Sequence, residues 1–391
     1  MDYNKQLPLF NIVEPTSPSS EENEISLLAL SAMPGIGFAT VRALFKAFNA
    51  NLSEVWNTDE NKLQEYLQRA KIPQSSNLAQ QIKEQSQRVL GLARENYSDL
   101  KRRKVSIILQ GTASYPQSLY DLKSPPAWLF VEGNIDLLND PAIVAVVGTR
   151  EPTKIGLIAA KRLSTILVRR GCVILSGLAE GIDEVGHRTA VDYGTPTIGV
   201  LGHGIDVVFP ASTSFLRRQI VERGGAIVSE YLPKDMYNRE RFVQRNRIQA
   251  ALAKIVAVIE GRVKSGTAHT VRFAHELNRA IFGVTVGTLT SSEQQELLNE
   301  LIKMGNPVFT LDDRNDHERL IEYLTSRLPL KDREQRIGSP RIFRGLISEI
   351  ERISHDYDVK EADYDWLLDQ ISKYRDKSRR TAQDDNSSHH S

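Results

Sequence analysis

The sequence predicts an α/β fold built on a doubly wound, mostly parallel sheet, with an N-terminal all-helical domain and a C-terminal helical extension. Between residues 141 and 287, short apolar runs alternate with amphipathic helical stretches, a pattern typical of a parallel sheet with crossover helices. The runs are apolar throughout, as expected for strands that helices cover on both faces. The predicted strands are residues 143–147, 173–175, 197–201, 226–228, 255–259 and 281–284.

Changes of pattern along the 391 residues divide the chain into five segments. Residues 1–24 are rich in Pro, Ser and Glu and have no apolar period, which predicts a disordered tail. In residues 25–104 apolar side chains recur at helical steps around a Pro-Gly-Ile-Gly turn, which predicts a helix-hairpin-helix-like domain. Residues 105–329 form the predicted Rossmann-like domain. Residues 330–377 predict a C-terminal helical segment, and the polar residues 378–391 predict a second disordered tail.

Composition excludes several classes of protein. Fifty Lys and Arg residues against 49 Asp and Glu give a net charge of +1, so any binding of a polyanion requires a local patch. The single cysteine, Cys172, excludes an internal disulfide and a zinc ribbon and fits a reducing compartment. Neither a bilayer-spanning run nor a signal-peptide pattern is evident, so we expect a cytoplasmic protein without a membrane partner.

Small or polar residues follow four successive predicted strands. In an open α/β sheet such strand ends meet at one edge, where glycines admit a phosphate closely and Thr or Arg side chains supply donors. We therefore predict an anion-binding cleft, with tight strand-to-helix turns as the alternative. Asp183 either caps the next helix or faces the cleft, and we interpret His187, four residues later, as structural. The predicted cleft residues are Gly148, Thr149, Arg150, Ser176, Gly177, Gly181, Gly202 and Gly204.

The densest basic segment, residues 234–247, carries five cations against two carboxylates and includes aromatic rings. Rings interleaved with arginines suit single-stranded nucleic acid, because bases stack on the rings and phosphates contact the cations. We expect residues 245–247 to open a helix and add free amides, with a solvated basic helix start as the alternative. A further anion-binding loop is expected at residues 264–267, before the next helix. The residues predicted here are Arg241, Phe242, Arg245, Asn246 and Arg247, then Lys264, Ser265, Gly266 and Thr267.

Signatures of catalysis are missing from the sequence. It contains neither a Walker A loop nor a dinucleotide-binding G-x-G-x-x-G motif, and no Cys pair or H-E-x-x-H motif suggests a metal site. No Ser–His–acid set can be assembled. The pattern therefore predicts a binding protein without cofactor, metal or catalytic residues.

Taken together, the loops resemble the DprA/Smf family of DNA-processing proteins. The resemblance spans about residues 115–283, and Glu180, where the family usually has Arg, marks this chain as a divergent member. The resemblance implies a protein that binds single-stranded DNA, forms homodimers through the Rossmann-like domain and loads the RecA recombinase in DNA uptake, transformation or recombination. The matching motifs are Tyr115-Pro116, Gly148-Thr149-Arg150, Ser176-Gly177-Leu178-Ala179, Gly181-Ile182-Asp183, His187, Gly202, Gly204, Asp206, Pro210, Phe242, Arg245-Asn246-Arg247-Ile248, Glu260, Ser265-Gly266-Thr267, Thr270 and Arg279.

Two other functions remain open. Phosphoribohydrolases that resemble lysine decarboxylases share this type of sheet and cleave nucleoside monophosphates, but residues 264–267 lack the glycine pair of their loop. A nucleotide-sensing module of a defence system would use the same cleft for a small nucleotide. We also expect the helical domain to form its own core, so that a chain beginning near Lys101 folds and keeps most of its affinity for DNA.

Overall fold

Four α-helices form the first part of the computed structural model, which describes residues 20–330. They are α1 (Ser20–Ser31), α2 (Phe38–Ala47), α3 (Glu60–Arg69) and α4 (Ser75–Arg102). The prediction of a tail up to residue 24 is wrong at its end, because α1 begins at Ser20 and Asn23 is buried, accepting a hydrogen bond from the Ser53 amide at 3.1 Å. Residues 1–19 of that tail and the predicted segments from residue 331 onward lie outside the described residues.

Within the described residues, nine strands form one sheet in the order β1-β2-β6-β5-β4-β3-β7-β8-β9. β1 pairs antiparallel with β2, and β2 pairs antiparallel with β6. All the other neighbouring strands of the sheet pair parallel. The strands are β1 (Val105–Leu109), β2 (Trp128–Gly133), β3 (Ile143–Val147), β4 (Val173–Ser176), β5 (Thr197–Val200), β6 (Ala226–Ser229), β7 (Ile255–Val258), β8 (Ala280–Thr285) and β9 (Val308–Thr310).

Helices cover both faces of this sheet, which confirms the predicted fold class. In β3, Ala145 and Val147 pack with α8, α9 and α10, whereas Val144 and Val146 pack on the opposite face with α5, α6 and α11. The chain leaves β3 toward β4 and later returns to its other side at β7, as in doubly wound sheets. The helices are α5 (Lys154–Arg169), α6 (Ile182–Asp192), α7 (Ser214–Glu222), α8 (Arg239–Leu252), α9 (Gly266–Glu276), α10 (Glu296–Lys303) and α11 (Arg314–Thr325).

The helical domain shares a core with the sheet, contrary to the expectation that it has its own. Trp128 of β2 is 1% exposed, with the rings of Phe38 and Phe45 at 5.2 Å and 6.2 Å between centroids. Arg103, just after α4, forms an ion pair of 2.7 Å with Asp206 in the loop that follows β5. The sequence shows the apolar periodicity of α2 but not which surface covers it.

A buried histidine joins α6 to β5. The Nδ1 atom of His187 lies 2.9 Å from the Thr197 hydroxyl, which itself donates to the Ile174 carbonyl at 2.7 Å. Burial, with a smaller contribution from the charge on Arg245, lowers the pKa of His187 from 6.5 to about 3. The geometry agrees with a structural interpretation of this residue, and its imidazole is neutral at pH 7.

We predict that a chain beginning at Lys101 aggregates or binds a hydrophobic dye, because it exposes Trp128 and Phe130. Size-exclusion chromatography and dye fluorescence measure this, with a chain beginning at Ser20, which keeps the whole helical domain, as the control. A monodisperse fragment from Lys101 that binds no dye would show that the two parts fold separately.

The neutral His187 should make the protein less stable in acid. Between its folded pKa of about 3 and its unfolded value of 6.5, the unfolded state binds more protons, so the free energy of unfolding falls as the pH drops. Between about pH 7 and pH 5 the contribution is about 2 kcal/mol, at roughly 1.4 kcal/mol per pH unit.

Urea titrations of wild type and His187→Gln at both pH values isolate this contribution. The variant should lose about 2 kcal/mol less than wild type over that interval. His275→Gln, at an exposed position of α9, should keep the full wild-type pH dependence. The same pH dependence in wild type and His187→Gln is the result that contradicts the assignment.

Candidate nucleic-acid interface

A cleft lies where the carboxyl ends of β3, β4 and β5 meet the first turns of α8. This is the edge of the sheet at which the loops predicted to bind anions come together. The cleft is open to solvent and combines cationic, aromatic and backbone groups. Its lining residues are Arg150, Gly177, Leu178, Ala179, Glu180, Gly202, His203, Phe209, Pro210, Phe242 and Arg245.

Arg150 is presented by a loop that the neighbouring strand end holds in place. The Thr149 amide donates to the Glu260 carbonyl at 2.8 Å, and the Thr153 amide and hydroxyl donate to the Glu260 carboxylate at 2.9 Å and 2.5 Å. Among residues 20–330, Arg150 forms no ion pair with a carboxylate. Its guanidinium instead lies over the Phe242 ring, 5.2 Å from the centroid. The donors at the edge of the guanidinium therefore remain available to a ligand.

At several glycines of these loops, other protein groups fill the place that a Cβ would take, so close packing requires glycine there. A Cβ at Gly202 would lie 2.5 Å from Cδ1 of Phe242, and a Cβ at Gly148 would lie 2.5 Å from Cγ1 of Ile182. Gly181 has a φ of +82° and packs against the Thr149 carbonyl. The loops therefore pack closely on each other and on neighbouring side chains.

Arg245 is buried at the floor of the cleft. Its guanidinium donates to the carbonyl of Gly177 at 2.7 Å, to the carbonyl of Val200 and to the side chain of Asn246. Burial lowers its pKa to about 10, which leaves the side chain charged at pH 7. This arginine holds the ends of β4 and β5 together, and the prediction that it opens a helix is wrong because α8 begins six residues earlier, at Arg239.

Asp183 faces the loop after β4 and not the start of its own helix. Its Oδ2 atom accepts from the Gly177 amide at 3.0 Å. Burial raises the pKa of this carboxyl, and the nearby charge of Arg245 opposes the rise. The structure supports neither of the two roles left open by the sequence, because Gly181 is the N-cap of α6 and Asp183 does not line the cleft. Asp183 instead holds the loop after β4 from its buried side.

Several predicted binding residues have protein partners that turn them away from the cleft. Arg247 forms a buried ion pair with Glu230, and the Asn246 amide donates to the Gly266 carbonyl at 3.0 Å. Ser176 donates to the Val146 carbonyl at 2.6 Å, and the Gly204 amide donates to the Asp235 carbonyl at 2.8 Å.

Arg241 and residues 264–267 lie outside the set that lines the cleft. Arg241 donates to the Met236 carbonyl at 2.5 Å, and its second terminal nitrogen lies 3.4 Å from Asp235. Ser265 caps α9 by accepting from the Ala268 amide at 3.4 Å, and Thr267 is buried. Lys264 is exposed on the loop next to that of Arg150 and has no carboxylate partner among the described residues.

An aromatic cluster lies beside Phe242, formed by Tyr237, one of the rings of the basic segment, and by Phe209, which was not predicted as a binding residue. Phe209 and Tyr237 stack with their centroids 3.8 Å apart, and Phe209 lies 5.7 Å from Phe242. Tyr237 is 40% exposed, so the stack lies at the surface of the protein. The Phe-Pro pair after the glycine loop was the available signal, but its approach to Phe242, 33 positions later, depends on the tertiary fold.

His203 supports the loop that carries Phe209. Its ring nitrogens lie 3.0 Å from the Gly204 carbonyl oxygen and 3.1 Å from the Phe209 carbonyl oxygen. Burial lowers the pKa of this histidine, while the two carbonyls oppose the change. The neutral imidazole thus lies between the two ends of the loop that carries Phe209 and donates to one of the two carbonyls.

The described residues contain no cluster of three or more His, Cys, Asp or Glu side chains that could hold a metal ion. No helix within residues 20–330 is long and apolar enough to cross a membrane. The arrangement in the cleft is suited to hold an anion at Arg150 beside a flat ring.

Comparisons with known proteins agree with this geometry. Protein Smf of Synechocystis is 38% identical over 173 residues, 44% of this chain and 43% of that protein. DNA processing protein DprA of Streptococcus pneumoniae is 37% identical over 172 residues, 44% of this chain and 59% of that protein. The chain spans about half the length of the curated relatives it matches.

Solved structures of such proteins have the same fold. The crystal structure of DprA from Streptococcus pneumoniae superposes with a TM-score of 0.56 at 25% identity, over 77% of this chain and 97% of the other. DNA processing protein A from Helicobacter pylori, described for its single-stranded DNA binding mode, superposes with a TM-score of 0.50 at 26% identity, over 57% of this chain and 97% of the other.

The family model of the DNA recombination-mediator protein A matches residues 106–317, which contain the whole sheet apart from the first residue of β1 and all the residues that line the cleft. Since this match covers more than half of the chain, the protein belongs to the DprA/Smf family of DNA-processing proteins.

Proposed function

We propose that this protein binds single-stranded DNA in the cleft, as a recombination mediator. The observation that carries the proposal is the guanidinium of Arg150, which has no carboxylate partner among the described residues and lies over the Phe242 ring at the mouth of an open cleft. A phosphate binds at the edge of the guanidinium, and bases stack on the neighbouring rings.

The position of the aromatic rings favours single strands over duplex DNA. Tyr237 and Phe209 present a stacked face beside the cleft, and only an unpaired base can place its own face against it. Bases inside a duplex already stack on each other, so duplex DNA would use the cationic groups alone. Lys264, on the adjacent loop, extends the phosphate contacts beyond Arg150.

The finer role rests on membership of the family. We propose that the protein acts in the cytoplasm as a homodimer and delivers the bound strand to a RecA-type recombinase. Binding of single-stranded DNA is supported by the relative from Helicobacter pylori, whose structure is described for its single-stranded DNA binding mode.

An enzyme that cleaves nucleoside monophosphates is less well supported by the geometry. Glu260, the carboxylate that such chemistry would require, accepts from the amide and hydroxyl of Thr153 and is 2% exposed. Each of its oxygens thus accepts a hydrogen bond from the loop after β3. The carboxylate holds the loop of Arg150 in place, and its burial keeps it away from a substrate in the cleft.

We predict that the protein binds an oligo-dT strand more tightly than a duplex of equal length across a series of salt concentrations. Arg150→Ala should weaken binding and reduce the slope of log K against log salt by about 0.7, the value for one lost phosphate contact. Phe242→Ala should cost about 1–3 kcal/mol with less change of slope. Because the two side chains touch, the double variant should lose less than the sum by at least about 0.5 kcal/mol.

Fluorescence anisotropy measures these affinities. Arg314→Ala on α11 and Phe215→Ala on α7 are the matched controls, since both side chains are exposed and lie outside the cleft. Equal affinity for duplex and single strands, or equal slope changes in the Arg150 and Phe242 variants, would contradict the proposed roles.

We also predict that the protein releases no ribose 5-phosphate from nucleoside monophosphates. The reason is the engagement of Glu260 by Thr153. A coupled assay for the released sugar phosphate tests this, with Glu260→Gln as the comparison. Turnover that disappears in Glu260→Gln would establish the enzyme in place of the binding protein.

A further inference from the structure

A carboxylate lies in a cleft that is otherwise suited to anions. Glu180 follows β4 and lines the cleft together with Arg150 and Phe242. A carboxylate repels the phosphates of a strand, so the part of a nucleotide next to Glu180 must offer N–H donors. In DNA these donors belong to the bases.

Glu180 is exposed and accepts one side-chain hydrogen bond. Its Oε1 atom accepts from the Ser212 hydroxyl at 2.6 Å, which leaves Oε2 and one side of Oε1 for a ligand. Gly181, the next residue, packs against the backbone that carries Arg150, and the Ile182 amide donates to the Thr149 carbonyl at 3.2 Å. The loops of Glu180 and Arg150 are therefore fixed relative to each other.

Glu180 and Arg150 line the same cleft without pairing with each other. Within the part of the chain that the structure describes, neither side chain forms an ion pair. The cleft thus has a carboxylate and a guanidinium among its lining residues, together with the Phe242 ring. Such a set can contact the edge of a base and a phosphate of the same strand.

We propose that Glu180 selects guanine among the bases of a bound single strand, an inference that rests on the proposed function. Guanine carries two adjacent donors, N1–H and N2–H₂, for the carboxylate, while the guanidinium of Arg150 holds a phosphate of the same strand. Cytosine has a single amino group beside the acceptor N3, and thymine has one N–H between two carbonyls. Neither of them satisfies both oxygens of Glu180.

The test uses fluorescently labelled dT strands of roughly twelve nucleotides, within the usual site size of such proteins. In otherwise identical strands the central dT is replaced by dG, dC, dA or deoxyinosine, which lacks the N2 amino group. A single dG avoids the structures that guanine runs form. We expect the dG strand to bind about five-fold more tightly than dT, near the lower end of the discrimination by a bidentate contact, and the deoxyinosine strand to lose most of this gain.

Glu180→Gln should bring the dG-to-dT ratio of affinities to about one, and it should strengthen binding to dT because one repulsive charge is lost. Glu151→Gln is the matched control, since Glu151 is an exposed carboxylate next to Arg150 that does not line the cleft. It should strengthen binding to all strands alike and keep the ratio.

A wild-type ratio of one with tight binding of dT would overturn the selection of guanine and leave the proposed function intact. A ratio unchanged by Glu180→Gln would also overturn it. Competition by free dGMP and dTMP distinguishes a guanine within a strand from a free guanine nucleotide. Weak competition by both nucleotides supports recognition within a strand. If dGMP competes as well as the dG strand, the cleft is a nucleotide site instead. If no strand binds, the proposed function itself fails.

Discussion

The geometry of the cleft depends on one buried cation. The guanidinium of Arg245 lies beneath the ends of β4 and β5 and donates to a carbonyl in each, while Asp183 accepts from the Gly177 amide. Both backbone groups of Gly177 are therefore bound, and its missing side chain makes room for the guanidinium. Burial of a charge costs several kcal/mol, which the carbonyls and the nearby carboxylate offset, so removal of any partner would leave a charge unsatisfied. This network positions the loops on which Glu180, Phe209 and Phe242 depend.

The contacts of each arginine, and not the net charge of the chain, determine where a cation is accessible in this protein. The chain is nearly neutral, and most arginines near the cleft pair with carbonyls or carboxylates, such as Arg241 with Asp235 and Arg247 with Glu230. Arg150 is different because the residues around it, Thr149 and Thr153, use their polar groups to bind Glu260. A single accessible guanidinium beside an aromatic ring attracts a phosphate locally without a large positive field, which would also bind duplex DNA.

The sequence predicted the fold well because its signals are local. Runs such as residues 143–147 are apolar and mostly β-branched, and small or polar residues follow them, so the strand positions, the parallel sheet and the edge that bears the cleft follow from pattern alone. The role of each side chain was less predictable. Whether an arginine reaches solvent, as Arg150 does, or is buried, as Arg245 is, depends on contacts between residues far apart in sequence. The same limit applies to Trp128. Phe38 packs on its ring, and the apolar periodicity of the sequence does not predict this contact.

The shared core has a consequence for the cleft. Phe38 of α2 packs on both Trp128 and Tyr231, and the Tyr231 hydroxyl donates to the Arg241 carbonyl at 3.1 Å in the first turn of α8. From the other side, Arg103 binds Asp206 in the loop that carries Phe209. The helical domain thus contacts both elements that hold the aromatic cluster, although none of its residues lines the cleft. Its contribution to binding is to fix Phe209 and Phe242 in place. The protein then loses less conformational entropy when a strand binds.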